Sequence, residues 1–172
     1  MENKIKKFII FIIVFFISSY EFMGCADISE IEYINKQIKI NIPEPTNISY
    51  EDSHGGFHGD GTTFAKLEFS SEDKERVIEE FKENNWFNTQ LSDNINIFIY
   101  GGMKNGVFYD FNIAKEFKIP KIENGYWYFV DRNSENGDSS SDSEIFNRNS
   151  FNITVALYDL DENILFYLDF DT

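Results

Sequence analysis

The sequence lacks several features that would assign it to a class at once. Its 172 residues contain one cysteine, Cys25, so an internal disulfide is excluded. The longest apolar run, residues 8–17, is about half as long as a membrane-spanning helix requires. The Gly-x-x-x-x-Gly-Lys-Ser/Thr, Gly-x-Ser-x-Gly and His-Glu-x-x-His motifs are all missing. No standard catalytic motif therefore suggests an activity.

Basic residues are also few. The chain has 15 lysines and arginines against 30 aspartates and glutamates, which gives a net charge of −15. A domain this acidic repels phosphate backbones, so we expect no nucleic acid partner. Anionic lipid headgroups would repel it as well, so we expect a lipid anchor, and not charge, to attach it to a membrane.

The N-terminus has the layout of an export signal. Three lysines (Lys4, Lys6 and Lys7) precede the apolar run, and Phe22-Met23-Gly24-Cys25 follows it. These four residues resemble the lipobox of bacterial lipoproteins, in which a small residue precedes the cysteine that receives the lipid. The resemblance implies cleavage before Cys25 and a lipid-anchored protein on the extracytoplasmic side of the cell membrane. The alternative is an ordinary export signal followed by a buried structural cysteine.

This interpretation divides the chain into three parts. Residues 1–24 are a lipoprotein-type signal peptide, residues 25–46 are the lipidated cysteine and a tether, and residues 47–172 are one domain. Cleavage removes three lysines and two glutamates, which leaves 148 residues with a net charge of −16. That length is sufficient for a single domain with its own core.

Hydrophobic patterning predicts an α+β fold, with an antiparallel sheet of about five to seven strands and one main amphipathic helix packed on a face. The helix is expected at residues 72–84, capped by Ser70 or Ser71. Alternating apolar residues predict strands at 38–42, 46–53, 62–69 and 95–99. Asn105-Gly106 predicts a hairpin that continues into residues 107–111.

Two further strand predictions concern the C-terminal half. Residues 126–132 are apolar on both faces, which is typical of a central strand. The last hairpin is expected to turn at Glu162-Asn163, which pairs Leu157 with Leu168 on one face. Tyr158 and Tyr167 then lie on the other face.

Both histidines lie in one glycine-rich loop, Asp52-Ser53-His54-Gly55-Gly56-Phe57-His58-Gly59-Asp60-Gly61. His54, His58 and Asp60 could bind a divalent metal such as zinc. His54 or His58, oriented by Asp52 or Asp60, could instead act as a general base. The simplest interpretation is an elaborate turn whose polar side chains bind loop backbone groups. The candidate binding loop is His54, Gly55, Gly56, His58 and Asp60.

Two other candidate sites are weaker. Residues 159–163 begin like a calcium loop, but Ile164 occupies the glycine position and Phe170 the glutamate position. Residues 138–144 are acidic enough to bind calcium loosely, although a solvated loop is the simpler interpretation. The aromatic residues of 126–129, with Tyr158 and Tyr167, could form an exposed platform, but core packing is their commoner use.

The glycine-rich segment also resembles a motif of small uncharacterised bacterial lipoproteins. Asn124-Gly125-Tyr126-Trp127 and the closing Asp169-Phe170-Asp171-Thr172 are similar to further marks of that group. The resemblance implies a shared fold and brings no assigned activity or catalytic residue.

Three functions are compatible with the sequence. The favoured hypothesis is a non-enzymatic, lipid-anchored module that binds a protein, peptide or envelope component. The first alternative is a small metal-dependent or histidine-assisted hydrolase that uses His54, His58 and Asp60. The second alternative is an inhibitor or immunity-type protein with a cognate partner.

Overall fold

The computed structural model describes residues 29–55, 59–88, 90–134 and 138–172. Five strands form one antiparallel sheet in the order β1-β2-β7-β6-β5. The strands are β1 (Asn47–Asp52), β2 (Gly61–Glu68), β5 (Gly125–Asp131), β6 (Asn152–Asp159) and β7 (Ile164–Asp171). A separate hairpin contains β3 (Gly102–Lys104) and β4 (Val107–Tyr109). The helices are α1 (Glu30–Ile38), α2 (Lys74–Glu83), α3 (Asp93–Tyr100) and α4 (Ile113–Glu116).

Apolar residues cover both faces of the five-stranded sheet. Helices α1 and α2 pack on one face, and α3 and α4 pack on the other. This confirms the predicted α+β fold with an antiparallel sheet. The sequence predicts one main helix on one face, whereas the structure has two helices on each face. Strand β6 is almost entirely buried because it has a helical layer on each side.

Residues 30–42 contribute to the core. Ser29 caps α1 by accepting the Glu32 N–H at 3.2 Å, and Lys39 ends the helix with a φ of 57°. Ile34 and Ile38 are fully buried, and the extended segment that follows also buries its isoleucines. The expected tether therefore gives way to folded structure at Glu30. The strand predicted at 38–42 is wrong, since the last turn of α1 occupies its start.

Helix α2 confirms the clearest helix prediction. Ser70 Oγ accepts the Asp73 N–H at 3.2 Å at the entrance to the helix. Val77 and Phe81 are its fully buried positions. Trp86 leaves the helix and stacks on Phe81 with ring centroids 4.1 Å apart. These two rings fix the exit of the helix against the sheet.

The strand predicted at 95–99 is wrong, because these residues form helix α3. Ser92 Oγ accepts the Ile95 N–H at 3.1 Å, and Gly101 ends the helix with a φ of 76°. Phe98 is fully buried, so the apolar positions 95, 98 and 99 also fit a helical period. A cap and a glycine stop outweigh the weak strand preference of isoleucine.

Strand β5 is at the edge of the sheet, so the prediction of a central strand is wrong. Tyr126 packs with the core under α2, whereas Trp127 and Phe129 pack with the core under α3. Helices on both faces account for its two apolar sides. Phe87 exchanges backbone hydrogen bonds of 2.9 and 2.8 Å with Trp127 and closes part of this edge.

The final hairpin has the predicted faces in a different register. Leu157 pairs with Phe166 and Val155 with Leu168, two residues from the predicted pairing. A two-residue shift keeps every side chain on its face because the strand period is two. The turn is longer than predicted because Asp159 Oδ1 accepts the N–H groups of Asp161 and Glu162 at 2.9 and 3.2 Å.

The other sequence expectations for this region hold. The β3–β4 hairpin turns at Asn105 and Gly106, which have φ values of 51° and 81°. Tyr126, Trp127, Tyr158 and Tyr167 are buried, so they are core residues and no exposed platform.

Candidate functional site

A polar row crosses one end of the sheet on the face that α1 covers. Register pairs Asp52 with Thr63, Thr63 with Asp169, and Asp169 with Thr154. Strand alternation places this row on the same face as the buried Tyr167. The rest of that face is apolar, so the polar side chains are concentrated where β1 and β7 end and β2 and β6 begin.

Asp169 is the centre of this row and is only 1% exposed. Its carboxylate accepts hydrogen bonds from the hydroxyls of Tyr33 (2.9 Å), Tyr167 and Thr154. Arg132 Nη1 also donates to Asp169 at 2.8 Å. A buried carboxylate is stable in a fold only when it is paired in this way.

Arg132 joins the buried centre to the outer part of the site. Its second terminal nitrogen donates to Asp171, and its side chain is 32% exposed. Burial lowers the pKa of the Arg132 guanidinium, but the neighbouring charges of Asp169 and Asp171 outweigh burial and raise the pKa overall. Arg132 therefore remains a fixed cation between two carboxylates.

His54 lies between two carboxylates at the outer end of the row. Its Nδ1 is 2.7 Å from Asp52 Oδ1 and 3.1 Å from the hydroxyl oxygen of Thr63. Its Nε2 is 3.3 Å from Asp171 Oδ2, close enough for an ion pair. Nε2 is nevertheless buried and makes no hydrogen bond, because the geometry of this contact is unsuitable. We conclude that both ring nitrogens face protein groups.

Local backbone contacts hold His54 in this position. The Asp52 carboxylate accepts the His54 N–H at 3.0 Å, and Ser53 Oγ accepts the Thr62 N–H at 2.8 Å. A Cβ on Gly61 would lie 2.8 Å from the Cα of His54. Only glycine permits this approach, which explains one of the loop glycines.

An open pocket of about 320 Å³ lies between the start of α1 and this end of the sheet. Three carboxylates, two tyrosines, a threonine and a histidine line it: Glu30, Asp52, Asp171, Tyr33, Tyr50, Thr63 and His54. The pocket therefore has an excess of negative charge and two aromatic rings.

Electrostatics within the pocket follow from these contacts. Burial tends to raise the pKa of Asp52, but hydrogen bonds from His54 and Thr63 outweigh burial and lower the pKa overall. Burial and the charge of Asp169 raise the pKa of Tyr33 to about 12. Burial and Asp52 also raise the pKa of Tyr50. Asp52 thus stays ionised, and Tyr33 and Tyr50 stay neutral, at pH 7.

The predicted loop residues do not all meet at this site. His54 lies in it, Gly55 follows at the exposed surface, and Asp60 is exposed and is not among the residues that line the pocket. Gly56 and His58 lie outside the described residues, as does Cys25. Within the described ranges, no group of three or more histidine, cysteine, aspartate or glutamate side chains is arranged to hold a metal.

The sequence pattern does not reveal the other polar residues that form this site with His54. Asp169, Asp171, Arg132 and Tyr33 come from three distant segments, and no short motif joins them. One signal was available: Asp169 and Asp171 continue the face of Tyr167 on a strand that is otherwise apolar. A carboxylate at an inward-facing strand position indicates a paired, buried group.

Comparison with family models, curated proteins and solved structures finds no match for this chain. In the part of the chain that the structure describes, no helix is long and apolar enough to cross a membrane.

Proposed function

We propose that this protein is a lipid-anchored extracytoplasmic binding module whose pocket takes a cationic group of its ligand. The signal-like N-terminus and Cys25 support the anchor. The observation that carries the binding function is the pocket itself, which is built from three carboxylates and two tyrosine rings. A primary ammonium or a guanidinium group fits this chemistry.

The charge balance favours a cation over an anion. Arg132 pairs with the buried Asp169 and with Asp171, so it offsets one of the three pocket carboxylates. Glu30 and Asp52 add two more carboxylates at the wall. Tyrosine faces attract ammonium and guanidinium groups as well, by about 0.5–2 kcal/mol per contact.

The position of His54 favours binding over hydrolysis. A general base must present a free nitrogen to the proton that it removes. Nδ1 of His54 is bonded to Asp52, and Nε2 is buried beside Asp171. The imidazole can therefore hold the two carboxylates in place, but a substrate atom cannot reach its nitrogens in this arrangement.

Rigid support makes the pocket suitable for recognition. The buried Asp169 is bonded to Tyr33 on α1, Tyr167 on β7 and Thr154 on β6, and these bonds fix two walls of the pocket. A preformed site loses little entropy when the ligand binds. The partner is then an amine, a polyamine or a basic peptide of the cell envelope.

The test is calorimetric titration of the mature protein with spermidine and with a tri-arginine peptide. Asp171→Asn removes a pocket carboxylate, and we expect it to weaken binding about tenfold, which is ~1.4 kcal/mol. Asp161→Asn is the matched control, because Asp161 is exposed at the opposite end of the sheet. Equal affinities for the wild type and both variants would refute the pocket.

The anchor has a separate test. Intact-mass analysis of the membrane fraction should show residues 1–24 removed and a lipid on Cys25. A mature protein with a free Cys25 thiol would refute the anchor and leave the pocket proposal intact.

A further inference from the structure

The exposed apolar side chains are concentrated on one hairpin. Four large apolar residues are exposed among the described residues, and three of them lie on β3 and β4. Met103 is 61% exposed, Val107 51% and Phe108 65%. Met103 and Phe108 are register partners, so their side chains lie side by side on one face of the hairpin. Exposure of such an apolar pair to water is unfavourable, and exposed apolar patches mark interaction surfaces.

The hairpin projects from the body while its base is held firmly. An open groove of about 780 Å³ is lined by Gly102, Met103 and Lys104 of the hairpin and by the start of α3. At the base, the ring of Tyr109 packs against Phe146 with centroids 4.5 Å apart. The hairpin is thus supported at its base, and its outer part, residues 103–108 (the tip), exposes Met103, Val107 and Phe108 beside the Asn105-Gly106 turn.

Charge distinguishes this projection from the rest of the surface. The chain has 30 acidic residues in 172, yet residues 94–109 contain none. Lys104 is the one charged residue in that stretch. Its ammonium group donates to Asn94 and lies 5.2 Å from the ring centroid of Phe146. The hairpin itself therefore carries no negative charge that lipid headgroups would repel, although Asp93 and Asp142 line the adjacent groove.

The hairpin base and the start of α1 lie at the same end of the sheet. Glu30 at the start of α1 lines a pocket with Asp171, the last residue of β7. Phe170, the preceding residue, packs against Phe111, which packs in turn on Tyr109 of the hairpin. Ser29 is four residues after Cys25, so a lipid on Cys25 holds this end within about 14 Å of the membrane surface.

We infer that the β3–β4 hairpin is a second membrane contact, with Met103, Val107 and Phe108 inserted at the boundary between headgroups and acyl chains. The inference rests on the proposed lipid anchor, which brings the hairpin end of the domain to the bilayer. An anchor on one residue sets the distance from the membrane but leaves the domain free to rotate. The apolar hairpin fixes the orientation, since its contact is favourable only when the tip faces the lipid.

The test uses the mature lipidated protein reconstituted in phosphatidylcholine vesicles. Phe108→Trp places a fluorophore at the tip, while the native Trp86 and Trp127 are only 6% and 8% exposed and give a shielded background. Phe87→Trp is the matched control, because Phe87 is exposed but lies beside β5, away from the hairpin. Lipids with brominated acyl chains quench only tryptophans that enter the bilayer.

We expect brominated lipid to quench the fluorescence added by Phe108→Trp by at least half and to leave that of Phe87→Trp unchanged. We also expect vesicles to slow the reaction of Lys104 with an aqueous amine reagent in the wild type, and Met103→Ser/Phe108→Ser to abolish this vesicle-dependent protection. Equal quenching of Phe108→Trp and Phe87→Trp, in protein whose mass shows a lipid on Cys25, would refute the hairpin contact and leave the anchor proposal intact. Self-association of the wild type that the double serine variant loses would also overturn it, because a second copy would then cover the tip.

The two proposals fail in different ways. If Cys25 carries no lipid, the anchor is refuted, and the unanchored protein is mixed with the same vesicles at high lipid concentration. Quenching of Phe108→Trp under those conditions supports the hairpin contact without the anchor. Absence of quenching under those conditions refutes the hairpin contact as well.

Discussion

Removal of Arg132 is the perturbation whose effect follows most directly from the structure. The substitution Arg132→Ala leaves Asp169, which is 1% exposed, without the only cationic partner that it has among the described residues. Loss of one partner from a buried ion pair costs about 3–5 kcal/mol. The cost here is smaller, because three hydroxyls continue to donate to Asp169 and because the Arg132 side chain is 32% exposed. We expect a loss of about 2–3 kcal/mol in the free energy of unfolding.

Urea unfolding followed by the fluorescence of the two buried tryptophans measures this loss. The urea concentration at half-unfolding should fall. The dependence of the free energy of unfolding on urea should change little, since the surface exposed on unfolding is nearly the same. Arg76→Ala is the matched control: Arg76 is 62% exposed and 3.7 Å from Asp73, and its loss should cost less than about 0.5 kcal/mol. If the two variants lose the same stability, the buried network does not stabilise the fold as argued.

Three further predictions concern stability. Gly125→Ala places a Cβ 2.0 Å from the carbonyl oxygen of Tyr158, so strand β5 must shift. We expect the free energy of unfolding to fall by more than about 2 kcal/mol in the same urea assay. An unfolding midpoint equal to that of the wild type would contradict this. The pKa of Tyr33 is raised from 10.0 to about 12, so its folded form keeps a proton that the unfolded form has lost between pH 10 and 12. The free energy of unfolding should therefore fall across that window by up to about 2–3 kcal/mol, and Tyr33→Phe should reduce its dependence on pH. An unchanged pH dependence in Tyr33→Phe would count against the contact with Asp169. Folding lowers the pKa of Asp52, so ionised Asp52 stabilises the fold above the pKa of the unfolded chain, near 3.8. This stabilisation is lost as the pH falls below that value. Asp52→Asn should therefore reduce the loss of stability at acidic pH.

Hydrophobic alternation predicted most of the sheet and both of its faces. It placed Tyr158 and Tyr167 on one face and Leu157 and Leu168 on the other, as the structure has them. It did not determine the register, because a shift of two residues leaves the faces unchanged. The side chain of Asp159 decides between the two registers by binding the turn backbone.

Short apolar runs were the main source of error. The run at 95–99 satisfies the strand period and the helix period at once, and Ser92 and Gly101 at its ends decide for helix α3. Strand β5 has two apolar faces because helices cover both sides of the sheet, and this burial is independent of its position at the edge. Patterning reports which side chains are buried and does not report which neighbour buries them.

The candidate site was only half visible in the sequence. His54 and Asp52 lie two residues apart and were recognised as a possible pair. Asp169, Asp171 and Arg132 complete the site through strand pairing across the sheet. Such residues become neighbours only through the topology, which local spacing does not specify.

The central claim is that the pocket beside His54 binds a cationic group. Spermidine titration of the mature protein, followed by the ring C–H signals of His54 in ¹H–¹³C NMR spectra, tests it most directly. The chain has two histidines, so His58→Ala leaves one ring signal and removes any ambiguity. We expect a saturable shift of the His54 signal, and we expect Asp171→Asn to weaken the affinity measured from that shift about tenfold. Binding heat without any shift of the signal would place the ligand elsewhere on the acidic surface and would refute binding in this pocket.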